Sequence, residues 1–148
     1  MKLSLFSDYS LRVLMFAALK EEGFQIEEVT AAYGISRHHL AKVVQTLAKL
    51  GYIETRRGRG GGIQLAQKPE DIWVGRLVRQ TENASAIVEC FDPRTNTCRL
   101  DGCCQLKGAL AKAQDAFYES LNQHSLASLL SGPQRKRMSE NLLLVSRE

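Results

Sequence analysis

Outside one short stretch the chain has no cysteine: all four lie between Cys90 and Cys104. No window approaches the length of a membrane-spanning helix, and the apolar run before Asp8 is too short for a secretory leader. The chain is therefore expected in the cytoplasm, with no membrane partner. Thiols there stay reduced, so clustered cysteines point to metal ligands or redox groups rather than a disulfide framework. Internal repeats and low-complexity tracts are absent. So is any nucleophile–base pair or substrate-pocket motif, which argues against an enzyme.

What is present begins with an asymmetry of charge. Residues 1–68 hold ten Lys and Arg against six Asp and Glu, whereas residues 69–148 hold ten of each. The whole net charge of +4 thus lies in the first half, which suggests a polyanionic partner there. With 148 residues, 44% of them hydrophobic, the chain can bury an ordinary core, and disorder of the whole is excluded.

Leu11, Leu14, Met15, Ala18 and Leu19 fall at helical spacing, predicting a helix from an N-cap at Ser7 to about Glu22. Asp8 lies in its first turn, where a carboxylate complements the helix dipole. A short helix over 25–33 ends at Gly34, and another runs from a cap at Ser36 through residues 37–50, with Leu40, Val43, Val44 and Leu47 inward. Two helices about a glycine-bearing turn make a helix-turn-helix. The outward residues of the second, Ser36, Arg37, His38, Lys42 and Gln45, suit base edges and phosphates of a major groove.

Two β-like runs, 52–55 and 63–65, then flank a loop carrying Arg56, Arg57 and Arg59 among glycines. Gly58-x-Gly60-x-Gly62 does not open onto a helix, so it lacks the context of a nucleotide-binding loop. It reads instead as the wing of a winged helix, with arginines placed for phosphates or a narrow minor groove. Helix-turn-helix followed at once by a basic hairpin is far more specific than either part, and it implies a double-stranded DNA partner.

The second half opens at Pro69 with a predicted helix through about Gln80, whose apolar face is Ile72, Val74, Leu77 and Val78; Trp73 suits core or interface packing. After the cysteine loop, Leu106, Leu110, Ala113, Phe117 and Leu121 recur at intervals of four, three, four and four. That is a short coiled-coil-like seam, fitting either a dimer or a core helix. Residues 125–130 are expected to pack back on this helix. From Gly132 the tail is weakly specified, with a Leu142–Val145 run that could anchor it. The expected organisation is a DNA-binding domain over 1–68, a cysteine loop and dimerisation helix over 69–131, and a tail over 132–148.

Cys103 abuts Cys104, and adjacent cysteines rarely ligate one metal comfortably, so three thiolates are available, one short of the usual four. Zinc or an iron-sulfur cluster would accept a His or carboxylate as the fourth ligand, and a metal-free thiol switch is a further option.

Phe6-Ser-Asp-Tyr-Ser-Leu-Arg12, Arg57-Gly-Arg-Gly-Gly-Gly62 and Val88-Glu-Cys90-Phe…Cys98…Cys104-Gln-Leu-Lys-Gly-Ala-Leu110 carry a likeness to a known family. In these motifs the chain resembles the NsrR-like, nitric-oxide-sensing branch of the iron-sulfur winged-helix regulators, to about residue 131. The resemblance implies a mainly α winged helix-turn-helix with a β-hairpin wing and a long dimerisation helix. It implies a homodimeric repressor of a pseudo-palindromic operator, released when its cluster is nitrosylated or lost. Cys90, Cys98 and Cys104 would hold one iron-sulfur cluster per protomer, 4Fe-4S favoured over 2Fe-2S, with Asp8 of the partner subunit as fourth ligand. IscR-like members instead carry a His where Lys107 stands here. Cys103 departs from the pattern, where a small non-ligand residue is expected. Winged-helix sensing of iron-sulfur status, zinc or thiol oxidation is the alternative; a small metal or electron carrier is another, for which a basic wing has no evident use.

Overall fold

A computed structural model describes residues 2–58, 61–82 and 86–142 of the chain. Helix α1 (Leu5–Lys20) runs through the middle, followed by α2 (Ile26–Tyr33) and α3 (Arg37–Lys49). Gly34 ends α2 at φ 66°, and Ser36 caps α3 by accepting from His39 N. A residue with a Cβ is strained at that φ, so the glycine makes the tight helix-turn-helix corner possible.

Strands β1 (Ile53–Arg56) and β2 (Gly62–Leu65) pair antiparallel, Ile53 opposite Leu65 and Arg56 opposite Gly62. Phe24 and Ile63 exchange backbone hydrogen bonds of 3.0 and 2.8 Å. The wing is thereby rooted on the α1–α2 connection. The architecture is the expected winged helix, mainly α with one two-stranded sheet among the described residues.

Its core forms around α1. Val13, Leu14, Phe16 and Ala17 are buried against Leu40, Val43 and Leu47 of α3, with Phe24, Ile53 and Ile63 closing one side. Each fully buried Val, Leu or Phe side chain contributes about 1.5–3 kcal/mol, so α1 and α3 form one rigid unit. Ile72, Leu77, Leu126 and Leu130 join the same core from the second half.

Three sequence expectations change in detail. Helix α1 is capped by Ser4, which accepts from Ser7 N at 3.1 Å, because the Ser7 hydroxyl is buried and shared with Thr81 at 2.7 Å. Its far end is Glu21, in the left-handed region at φ 61°. The helix expected from Pro69 is split: Pro69–Asp71 is a single 3-10 turn, and α4 spans Val74–Thr81. Between them Trp73 is extended and bridges Ser125, while Leu126 N donates to Ile72 O at 2.8 Å and Val74 N to His124 O at 3.1 Å. This strand-like pairing spends the backbone groups that a continuous helix would need.

The third change concerns the end of the chain. The short helix α6 (Leu126–Leu129) packs on α1 and the 3-10 turn rather than on α5 (Gln105–Leu121), because Leu126 and Leu130 fit the α1 core. Residues expected to be a weak tail form α7 (Gln134–Asn141), whose Arg135 donates to Ala18 O at 3.4 Å and pairs with Glu21. Met138 and Leu142 rest on the core; the rest of the Leu142–Val145 run lies outside the described residues.

Helices α4 and α5 pack around a second small core of Val74, Val78 and Tyr118. Arg79 lies 4.5 Å over the Tyr118 ring and pairs with Asp115 at 2.9 Å. Gly75 permits the crossing: a Cβ there would lie 2.1 Å from Tyr118 O and 2.6 Å from Asn122 Oδ1. Since these two helices hold both ends of the cysteine loop, their spacing positions it. Gly75→Ala is expected to lower stability by about 1–3 kcal/mol or more through overpacking. An unchanged urea midpoint would contradict so close a crossing.

Candidate DNA-binding surface and metal centre

The residues expected on the outward face of α3 are all there: Ser36, Arg37, His38, Lys42 and Gln45 are exposed, while Leu40, Val43 and Leu47 face the core. The Ser36 hydroxyl is tied locally, with His39 Nδ1 at 3.0 Å. His39 itself lies 6.1 Å from the Tyr9 ring, joining the start of α3 to α1. Arg37 donates from Nε to Glu27 Oε1 at 2.7 Å. Sequence spacing gave no sign of Glu27, since the pair crosses a turn between helices rather than following a helical repeat.

The wing arginines differ from one another. Arg56 ends β1 and is held by Glu54, with Nε 2.9 Å from Oε1, and Glu54 also accepts from Gln64 across the hairpin at 2.7 Å. Hydrogen bonds from Gln64 first, with the charge of Arg56, keep the Glu54 carboxyl below its ordinary range. Arg57 is exposed in the loop, and Arg59 lies outside the described residues.

The cysteine segment joins α4 to α5. Cys90 is half-buried in a 3-10 turn (Glu89–Phe91), and Cys104, also half-buried, stands at the N-cap position of α5. Cys98 and Cys103 are exposed. Polar contacts between side chains and backbone shape the loop: Glu89 Oε1 accepts from both Thr97 N and Thr97 Oγ1 at 2.6 Å, Asn96 donates to Asp101 at 2.6 Å, and Lys107 donates to Asp101 at 2.5 Å. The Lys107 ammonium is held above its ordinary pKa chiefly by its hydrogen bond to Asp101.

Cys90, Cys103 and Cys104 line one open cavity of about 1270 Å³ between the loop, α4 and α5, and Cys98 does not. Among the described residues no three His, Cys, Asp or Glu side chains converge on one point. In kind the donor set fits an iron-sulfur group, since soft thiolates dominate it. In placement, two of the three expected ligands share the cavity, and the third stands outside it.

Asp8 is bound within its own helix. Its two oxygens lie 3.1 and 3.0 Å from Nε and Nη2 of Arg12, and its side chain is 39% exposed. Arg12 in turn lies 5.6 Å over the Tyr33 ring. Glu82, which lines the cavity, accepts from Ser4 N at 2.7 Å and Ser4 Oγ at 2.8 Å. Burial would raise the Glu82 carboxyl, but hydrogen bonds from Ser7 and Ser4 together hold it below the usual range. The root of the cysteine loop is therefore fastened to the start of α1.

The chain is similar to known proteins in sequence and in fold. The Rrf2 family, described as "Iron-dependent Transcriptional regulator", matches residues 3–132. The HTH-type transcriptional regulator NsrR of Geobacillus kaustophilus is 48% identical over 132 residues, 88% of this chain and 90% of the relative. The regulator of the same name from Halalkalibacterium halodurans is 47% identical over 133 residues, 88% of this chain and 91% of its own. Among solved structures, CymR (YrzC), the global cysteine regulator of B. subtilis, matches with a TM-score of 0.68 at 25% identity, covering 87% of this chain and 95% of that one. The chain belongs to the Rrf2 family of transcriptional regulators, as a winged-helix, NsrR-like regulator and not an enzyme.

Proposed function

We propose that the chain is a homodimeric cytoplasmic repressor that senses nitric oxide through an iron-sulfur cluster, one per protomer. The observation that carries the reading is the position of the thiols. They occupy the link between α4 and α5, and the root of that link, Glu82, is bonded to the start of the helix that bears Asp8. Cys90, Cys98 and Cys104 would hold the cluster, with Asp8 of the partner subunit as a hard, exchangeable oxygen ligand in a soft site. When bound, the cluster supplies iron that reacts with nitric oxide.

The remaining steps belong to the protein. An Asp8 carboxylate that does not engage the partner subunit has a resting partner on its own helix in Arg12. Without a tie between subunits, the two α3 helices would lose a fixed separation matched to half-sites about one helical turn apart. Ser36, Arg37, His38, Lys42 and Gln45 would face the major groove of a pseudo-palindromic operator, and Arg56, Arg57 and Arg59 its backbone or minor groove. Helix α5 supports the dimer: of its 17 residues only Tyr118 is buried, and Leu106 of the expected seam is 64% exposed. A helix of that length with one buried residue has an apolar face still to cover.

A second reading is a thiol or zinc switch, for which the exposed Cys98 and Cys103 thiols are open to reagents and ions. Anaerobic purification separates the two. Brown protein containing iron and sulfide, bleached by nitric oxide, is expected, with a changed spectrum or cluster lifetime in Asp8→Ala. Colourless protein with stoichiometric zinc contradicts the cluster, and an unaltered Asp8→Ala spectrum leaves Asp8 to its pair with Arg12.

The dimer face is tested separately. Leu110→Glu is expected to give monomers by sedimentation and at least about tenfold weaker operator binding, each tenfold being about 1.4 kcal/mol. A Leu110→Glu protein that sediments as a dimer would remove α5 from the interface.

A further inference from the structure

One polar contact on the helix-turn-helix has no evident use in folding. Arg37 is the first residue of α3, and Glu27 stands in the first turn of α2. Their side chains are 70% and 60% exposed, and the guanidinium donates from Nε to Glu27 Oε1 at 2.7 Å. An ion pair so open to water adds little to stability. What it does fix is direction.

The bond occupies Nε and leaves the edge formed by Nη1 and Nη2 clear of it. That edge is a planar fork with the spacing of guanine O6 and N7, the commonest specific contact in a major groove. A free arginine would have to give up its rotamer freedom on binding, whereas one already braced does not. The brace comes from the other helix of the motif, so it sets Arg37 relative to the turn and not to its own helix. Helix α2 is itself firmly started, with Gln25 and Glu28 capping each other's backbone.

The charge of Glu27 has a second effect. A carboxylate beside Arg37 repels phosphate, so the pair is poorly suited to the DNA backbone and well suited to a base edge, which carries no net charge. The hydrogen bond from Arg37 holds the Glu27 carboxyl below its ordinary range, so the pair is fully charged at neutral pH.

We propose that Glu27 is a positioning residue for sequence readout, holding Arg37 in the pose that reads one guanine in each half-site and discouraging it from phosphates. This rests on the reading of Arg37 as a DNA contact. The test uses anaerobically purified full-length protein, a pool of duplexes with a randomised core, and sequencing of the bound fraction, alongside melting temperature. The wild type should enrich a guanine at one position of each half-site, and Arg37→Ala should lose that position. Glu27→Ala should lose roughly two- to fivefold of the same preference, the most that so exposed a brace can contribute. It should keep its melting temperature and bind random duplex as well as the wild type or better.

Glu27→Ala protein that retains the guanine preference overturns the proposal. So does one that loses preference evenly at every position together with melting temperature, since that marks a structural role. Arg37→Ala protein that selects the wild-type site, or wild type that selects none, defeats the reading of Arg37 itself and is distinguishable from both.

Discussion

Helix α1 has almost no free face along its middle. Val13, Leu14, Phe16 and Ala17 are buried against α3, the wing root, α6 and α7, and even Ser7 and Ser10 are fully buried, each with a hydrogen bond. Close-packed interiors do not deform continuously; they move as units or repack. A displacement at the start of α1 must therefore carry α3 with it. That constraint makes the first residues of the chain a lever on the DNA-binding surface.

Two features sit at the short end of that lever. Glu82, at the root of the cysteine loop, caps the start of α1 through Ser4, and Thr81 shares a buried hydroxyl contact with Ser7. Asp8, one turn further, is held by Arg12. Chemistry at the thiols thus has a route into α1 within one protomer, and the proposed ligation by Asp8 of the partner subunit adds one between protomers. Little energy is needed, since about 1.4 kcal/mol of coupling changes affinity tenfold. The helices that frame the loop meet at Gly75 with no room for a methyl group, so the loop has a stiff base to push against.

The sequence was most legible where structure is local. The helix-turn-helix follows from apolar spacing with a glycine and a serine at its corner, and the hairpin from two β-like runs about a glycine loop; both stand as read, within a residue or so at their ends. Legibility fell where long-range pairing overrode local preference. Ile72 and Val74 fit a helical face, but their backbone is claimed by Leu126 and His124, fifty or more positions away. Ser7 makes a good cap in isolation, yet burial gives its hydroxyl to Thr81. Residues 125–130 are apolar enough for several neighbours, and only the shape of the α1 core selects one. The side-chain partners of the candidate site were the least accessible: the Arg37–Glu27 brace and the absence of Cys98 from the lining of the cavity that Cys90, Cys103 and Cys104 share depend on tertiary placement that no spacing encodes.

The central claim is that a chemical change at the thiol-held group alters DNA binding through α1 and the dimer. Its most direct test is the affinity of one anaerobic preparation for its selected duplex, measured before and after stoichiometric nitric oxide at fixed salt, because phosphate contacts make affinity salt-dependent. Binding should be tight before and at least about tenfold weaker after. Equal affinity in the two states would contradict it.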